Sequence, residues 1–342
     1  MAPSSQLRQT AHWPRSRPRA ERAKDAKESS SGIGSIYLSA MPADAPTPPA
    51  PKVQTEALAA IVRRMSRAAQ PPWLHAEVAR RMAERLALIR AQPRTLIDWW
   101  SLHGASRDLL RRAYPQARVV RVESDLLPPQ QASPRSRWGR PRAESSETVA
   151  PHALAAGRAD LLWANMMLHL AGDPQAQMRQ WHQALAVDGF LMFSTFGPGS
   201  LAGLRRVYAA LGWPSPHAPF VDMHDLGDML VQAGFADPVM DQETLTLTWP
   251  DAGALLRELR TLGGNADPAR AAGLHTPRWR ERLCRELQAL QGSDGRLRLD
   301  FEVVYGHAFR VPVRPAVGGQ TSVALDDMRA MVRAGRHAGG KR

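Results

Sequence analysis

Cysteine, lysine and long apolar runs are all scarce in this chain. Its single Cys284 excludes an internal disulfide framework and any multi-cysteine metal site, and fits a reducing compartment. No apolar run reaches membrane-spanning length, and the start, MAPSSQLRQTAHWPRSRPRAERAK, lacks the apolar core of a signal peptide. A cytoplasmic protein is therefore expected, with no membrane partner. The lysines are Lys24, Lys27, Lys52 and Lys341, so the formal net charge of +13 is carried almost wholly by arginine. A basic surplus suits phosphate or an acidic protein partner. No nucleic-acid motif accompanies it, and part of it sits in RSRPRAERAK and RAGRHAGGKR at the two ends. A nucleic-acid-associated role is the minor alternative.

What the chain does have is 44% hydrophobic residues over 342 positions, enough to bury one large domain or one domain plus a small appendage. Residues 1–55 read as a disordered tail and stiff linker, PADAPTPPAPK, and Met41 ahead of that linker offers a second translation start. Residues 56–312 read as the folded domain, with a lid or substrate region at about 251–300, and residues 313–342 as a basic tail. Leu58, Ile61, Val62 and Met65, then Val78, Met82, Leu86 and Ile89, recur at helical spacing. After these two helices, RTLID, SRDLLRRAY and ARVVRVES make a β-α-β unit. The polar segment 128–149 reads as a loop or insertion. Beyond it come the apolar run ADLLWANMMLHL, a helix PQAQMRQWHQALAVDG ending at Gly189, and the strand FLMFSTFGPGSL. Helices over residues 201–211 and in MHDLGDMLVQAG follow, then the alternating ETLTLTW. The helix DAGALLRELRTLGG has Asp251 as N-cap and Gly263 as its stop. The last strand is FEVVYGHAF. Strands alternating with helices predict an α/β fold: a doubly wound, mostly parallel, Rossmann-like sheet with an antiparallel end and a helical lid.

The segments ADLLWANMMLHL, GFLMFSTFGPGSLAGLR, FVDMHDLGDMLVQAGFADPVMDQETLTLTW and FEVVYGHAF occur in an order that resembles the class I methyltransferases using S-adenosylmethionine. Within that class they resemble the malonyl-acyl-carrier-protein O-methyltransferases of biotin synthesis. The likeness covers roughly residues 61–309. It implies S-adenosylmethionine as cofactor and, as partner, acyl carrier protein bearing a malonyl thioester whose free carboxylate is methylated. That carboxylate is ionised near pH 7 and needs no general base, so no catalytic residue is nominated. Arg205, Arg206, Arg257 and Arg260 could steer the acidic carrier or be the solvated faces of two helices.

The resemblance also implies cofactor-binding positions. The family motif D-x-G-x-G-x-G after the first strand aligns with Asp98, then Trp100 and Leu102 where glycines belong, then Gly104. Only glycine lets backbone approach the methionyl half of the cofactor, so tryptophan adds bulk there. Glu123, ending the second strand, matches the acid that accepts ribose hydroxyls, and also suits a solvated strand end. The motif expected at the adenine is not recognisable in RWGRPRAESSETV. Asn165 matches the polar residue after the third apolar run, as a turn-capping Asn would. His103 reads as a loop residue. Gly197 and Gly199 fit a substrate-side turn, and His224, flanked by Asp222 and Asp225, is either a helix-start residue or a substrate contact. No metal site is proposed. Two readings stay open: an active methyltransferase with a remodelled loop, or a catalytically inactive relative that binds acyl carrier protein or another partner.

Overall fold

The computed structural model describes residues 55–68, 70–127, 147–271, 273 and 275–312. The expected tails and most of the 128–149 segment lie outside the described residues. The chain opens with two amphipathic helices, α1 (Thr55–Ser66) and α2 (Trp73–Leu86). Then come β1 (Thr95–Trp99), the one-turn α3 (Ser101–Gly104), α4 (Arg107–Ala113), β2 (Arg118–Val122) and β3 (Glu147–Val149). β4 (Ala159–Ala164), α5 (Pro174–Ala184), β5 (Leu185–Phe196), α6 (Ala202–Ala210) and α7 (Met223–Gln232) follow. The end is built from β6 (Ala236–Trp249), α8 (Ala252–Thr261), α9 (Pro277–Gln288) and β7 (Leu297–Phe309).

The strands form one sheet in the order β3-β2-β1-β4-β5-β7-β6. The first five are parallel, whereas β7 runs antiparallel to both β5 and β6. Because side chains alternate across a strand, each central strand feeds two cores. Ile97 and Trp99 join the core that takes Leu58, Ile61, Val62 and Met65 of α1, while Leu96 joins the one that takes Leu74, Val78, Met82 and Leu86 of α2. Each such buried aliphatic contributes about 1.5–3 kcal/mol. Asp251 caps α8 by accepting from the Ala254 amide at 2.7 Å, and Gly263 ends that helix at φ 122°. The doubly wound sheet with an antiparallel end is as the sequence pattern implies.

Two expectations fail. The helix starting at Pro174 stops at Ala184 and strand begins at Leu185, so Gly189 does not end a helix. Its role is close approach, since a Cβ there would lie 2.9 Å from the carbonyl oxygens of Ala159 and Ala186, beside the register shift between β4 and β5. Asp188, just before it, takes the left-handed backbone at φ 65°. The segment read as loop to residue 149 also closes with strand β3, paired in parallel with β2 through Val120, Arg121 and Val122. Three residues of edge strand are too short for periodicity to reveal.

Candidate functional site

The parallel strands β1, β2, β4 and β5 end at one edge of the sheet, where open α/β sheets bind ligands. Asp98, next to last in β1, is buried, and neither carboxylate oxygen has a hydrogen-bond partner. Burial first, and the Glu123 charge second, hold its carboxyl well above the ordinary value, against the opposing pull of Arg121 and Arg107. Glu123, one residue past the end of β2, is also buried, and that burial pushes its carboxyl up. Its Oε1 accepts from the Ser101 hydroxyl at 2.6 Å and the Leu102 amide at 3.0 Å, while Oε2 is buried with no partner.

Between these acids runs the turn that the sequence makes conspicuous. Trp100 has φ 55° and ψ 47°, left-handed backbone in which a glycine would be relaxed. Trp100 holds this conformation at a cost on the order of 1 kcal/mol for a side-chain-bearing residue. The Trp100 amide donates to the Val122 carbonyl at 2.6 Å, tying the turn to β2. Trp99 is fully buried, edge-on to Trp181 at 6.2 Å. The Trp100 side chain is 7% exposed and Leu102 39%. Trp100 forms a wall of a cleft of about 380 Å³, shared with Leu58 of α1, Leu170, Gly172, Asp173 and Gln177. The lining by Leu58 was not foreseen; the helical spacing marks it as apolar but cannot say that α1 lies over the strand ends.

Gly104 and Asn165 come together behind the turn. The Asn165 amide nitrogen donates to the carbonyls of His75 (2.8 Å) and Gly104 (2.7 Å), and its oxygen accepts from the Ser194 hydroxyl at 2.7 Å. It is fully buried and joins α2, α3 and β5. His75 Nδ1 donates to the His103 carbonyl at 2.9 Å. Burial holds His75 and His103 each down to about 4, so both are neutral near pH 7. His103 is a buried residue of α3 rather than an open loop residue.

The substrate-side candidates lie past β5 and beyond. Gly197 and Gly199 flank Pro198 where β5 ends, and a Cβ on either would meet the Glu302 carboxylate. The Gly197 amide donates to the Glu302 carbonyl at 2.9 Å. His224 is exposed in the first turn of α7, its amide donating to the N-cap Asp222 at 2.8 Å. Arg257 and Arg260 are exposed on α8, Arg206 is exposed on α6 and Arg205 is half-buried there. A small recess of about 10 Å³, room for about one water, is lined by His169, Thr195, Phe196 and Phe220. Neither ring nitrogen of His169 has a partner, and burial, with His75 and His217 nearby, pushes it down to about 3. This recess went unnoticed in the sequence, where His169 is one polar letter inside an apolar run.

The acids fit a ligand rich in hydroxyl or ammonium donors, because three of their four oxygens are buried and unpartnered. The turn between them, as folded, fits such a ligand poorly, because Trp100 and Leu102 stand where glycines would leave space and Glu123 already has two donors. Among the described residues no His, Cys, Asp or Glu group is arranged to hold a metal, and no helix is long and apolar enough to cross a membrane.

No family model matches the chain. Individual relatives do. It is 39% identical over 276 residues to the malonyl-acyl-carrier-protein O-methyltransferase of Laribacter hongkongensis, covering 78% of this chain and 90% of that protein. The enzymes of the same name from Gallionella capsiferriformans and Halorhodospira halophila are each 38% identical. They cover 69% and 74% of this chain and 84% and 87% of their own lengths, respectively. Among solved structures, YcgJ of Bacillus subtilis overlaps 69% of this chain and 99% of its own, at 10% identity and a TM-score of 0.46.

Proposed function

This chain belongs to the malonyl-acyl-carrier-protein O-methyltransferases, and from that premise we propose that it methylates the free carboxylate of a malonyl thioester on acyl carrier protein, with S-adenosylmethionine as donor. The observation that carries the reading is the buried acid pair, Asp98 and Glu123, at the ends of adjacent strands with three oxygens unpartnered. When bound, the cofactor supplies an electrophilic methyl on a sulfonium sulfur. Glu123 would hold its ribose hydroxyls, and Asp98 would face the polar end of its methionyl half. Leu58, Trp100 and Leu170 give the neighbouring open cleft apolar surface, beside the polar Asp173 and Gln177. The malonyl carboxylate is already an anion, so the chain has to align it and keep it dry rather than deprotonate it. His169, neutral and without a partner, lines the small recess beside Phe196 and Phe220, which as folded has room for about one water and not for an acyl group. Arg205, Arg206, Arg257 and Arg260 provide positive charge on α6 and α8 for an acidic carrier. A carrier-linked substrate and the single Cys284 both suit the cytoplasm.

The decisive experiment mixes the purified chain with malonyl-acyl carrier protein and S-adenosylmethionine, then weighs the carrier by mass spectrometry. A carrier that gains one methyl supports the reading; an unchanged carrier at millimolar donor refutes it. One observation favours a second reading, a relative that binds the carrier without catalysis: the turn bears Trp100 and Leu102 in place of glycine, and its own atoms occupy Glu123. Rescue of a biotin auxotroph lacking this methyltransferase would eliminate that alternative.

A further inference from the structure

The contacts on Glu123 are unusual in where they come from. Both donors to Oε1, the Ser101 hydroxyl and the Leu102 amide, belong to the turn that should leave room for a ligand. A nucleoside offers a carboxylate two adjacent hydroxyls, and here two neighbouring donors of the chain itself take that place. The match is incomplete, since Oε2 stays buried and unpartnered. The turn also has reasons to leave. Trp100 carries left-handed backbone with a bulky side chain, and Leu102 is the most exposed apolar residue of the turn.

We propose that Trp100, Ser101 and Leu102 form a latch in which the chain occupies its own ribose acceptor: Ser101 holds Glu123 while the cleft is empty of nucleoside, and a vicinal diol displaces it. The inference rests on the cofactor reading above. In it, Ser101 is a positioning residue that sets affinity, touching Glu123 rather than the reacting atoms. The ligand binds only the open turn, so its apparent affinity falls by the fraction of molecules that are open. Removing the Ser101 hydroxyl weakens the closed form by one charge-assisted hydrogen bond, which corresponds to about tenfold or more in that fraction.

The test uses the full purified chain as wild type, Ser101→Ala, Ser101→Thr and Trp100→Gly. Calorimetry with S-adenosylhomocysteine, adenosine and 2′,3′-dideoxyadenosine is paired with fluorine NMR of 5-fluorotryptophan-labelled protein, the Trp100 signal being assigned by its loss in Trp100→Phe. Ser101→Ala is expected to bind S-adenosylhomocysteine and adenosine about tenfold more tightly, with no gain for the dideoxy compound that lacks the diol. Ser101→Thr, which keeps the hydroxyl, should return to wild-type affinity. The Trp100 signal should move the same way on Ser101→Ala substitution as on adding adenosine to wild type. Equal affinities for wild type and Ser101→Ala, an equal gain for the dideoxy compound, or a Trp100 signal unmoved by both treatments overturns the latch. The two readings fail separately. A wild type that methylates the malonyl carrier but shows no Ser101→Ala gain loses the latch and keeps the activity. Variants that tighten on adenosine but never methylate the carrier keep the latch and lose the activity.

Discussion

The turns that leave β1 and β5 stand at the same edge of the sheet and are built in opposite ways. After β5, two glycines flank Pro198 and the space a Cβ would need is filled from β7 by the Glu302 carboxylate. After β1, the turn carries the buried Trp100 in left-handed backbone and the exposed Leu102, and its own Ser101 and Leu102 donors occupy Glu123 Oε1. One turn is set by a neighbouring strand and has nothing to release. The other is held by a short set of its own contacts to Glu123 and Val122, and those contacts are of a kind that a ligand can replace.

The largest effect is expected on the β5 side. Gly306 of β7 faces Phe193 of β5, and an added Cβ would collide with the buried Phe193 ring. Gly306→Ala should cost about 3 kcal/mol or abolish soluble expression, because the Phe193 ring, fully buried and packed beside Trp181, has nowhere to move. A urea midpoint within error of wild type would show this side to be as yielding as the β1 turn.

Asn165 comes next, since it bolts the two regions together. Asn165→Ala removes three buried hydrogen bonds to His75, Gly104 and Ser194 and should cost about 3 kcal/mol. Hydrogen exchange should then quicken over 100–106 more than over 197–201. Uniform loosening of both turns would break the distinction drawn between them.

Acid titration separates the regions as well. His75 and His103 lie behind the β1 turn with folded values of about 4, below the 6.5 of the unfolded chain. Between these values the unfolded chain binds the extra protons, so their stabilisation is complete above 6.5 and is lost as pH falls toward 4. The loss is roughly 1.4 kcal/mol per histidine per pH unit. Asp98 has the opposite sign: its raised value favours the fold at low pH and is a penalty as pH rises past the ordinary 3.8. Thermal melts from pH 7 to 5 should fall, and Asp98→Asn should gain on wild type mainly at the alkaline end. Melts that do not change between pH 7 and 5 would contradict the buried, neutral histidines.

The smallest effect is Glu302→Gln, which keeps the shape and touches only a 3.4 Å contact from the Gly199 amide. It should change stability by less than about 0.5 kcal/mol, whereas Ser101→Ala on the other turn should cost about 1–2 kcal/mol. Equal values by chemical denaturation would remove the asymmetry.

Much of the fold was legible in advance because it depends on periodicity. Val119, Val120 and Val122 mark a buried strand, and Asp251 and Gly263 bracket a helix, whatever the rest of the chain does. The boundary at Ala184 was not legible: helix and strand share one apolar run there, and the left-handed backbone of Asp188 falls inside the strand. That Asp98 and Glu123 lie at two strand ends, with Trp100 and Leu102 just after the first, could be read from the sequence. That Asn165 spends its amide on His75, Gly104 and Ser194 could not, since those partners lie 29 to 90 residues away.

The sequence by itself determined the doubly wound order of strands and helices, the acids at two strand ends, and the bulky Trp100 and Leu102 in the turn that follows the first. Each of these depends on residue type and on spacing along the chain. Only the tertiary structure decided what touches Glu123, which wall Trp100 forms, and where the unpartnered oxygens lie. Hydrogen-bond partners and cavities arise from sheet register and from which helix covers which strand end, and neither is written in any single segment.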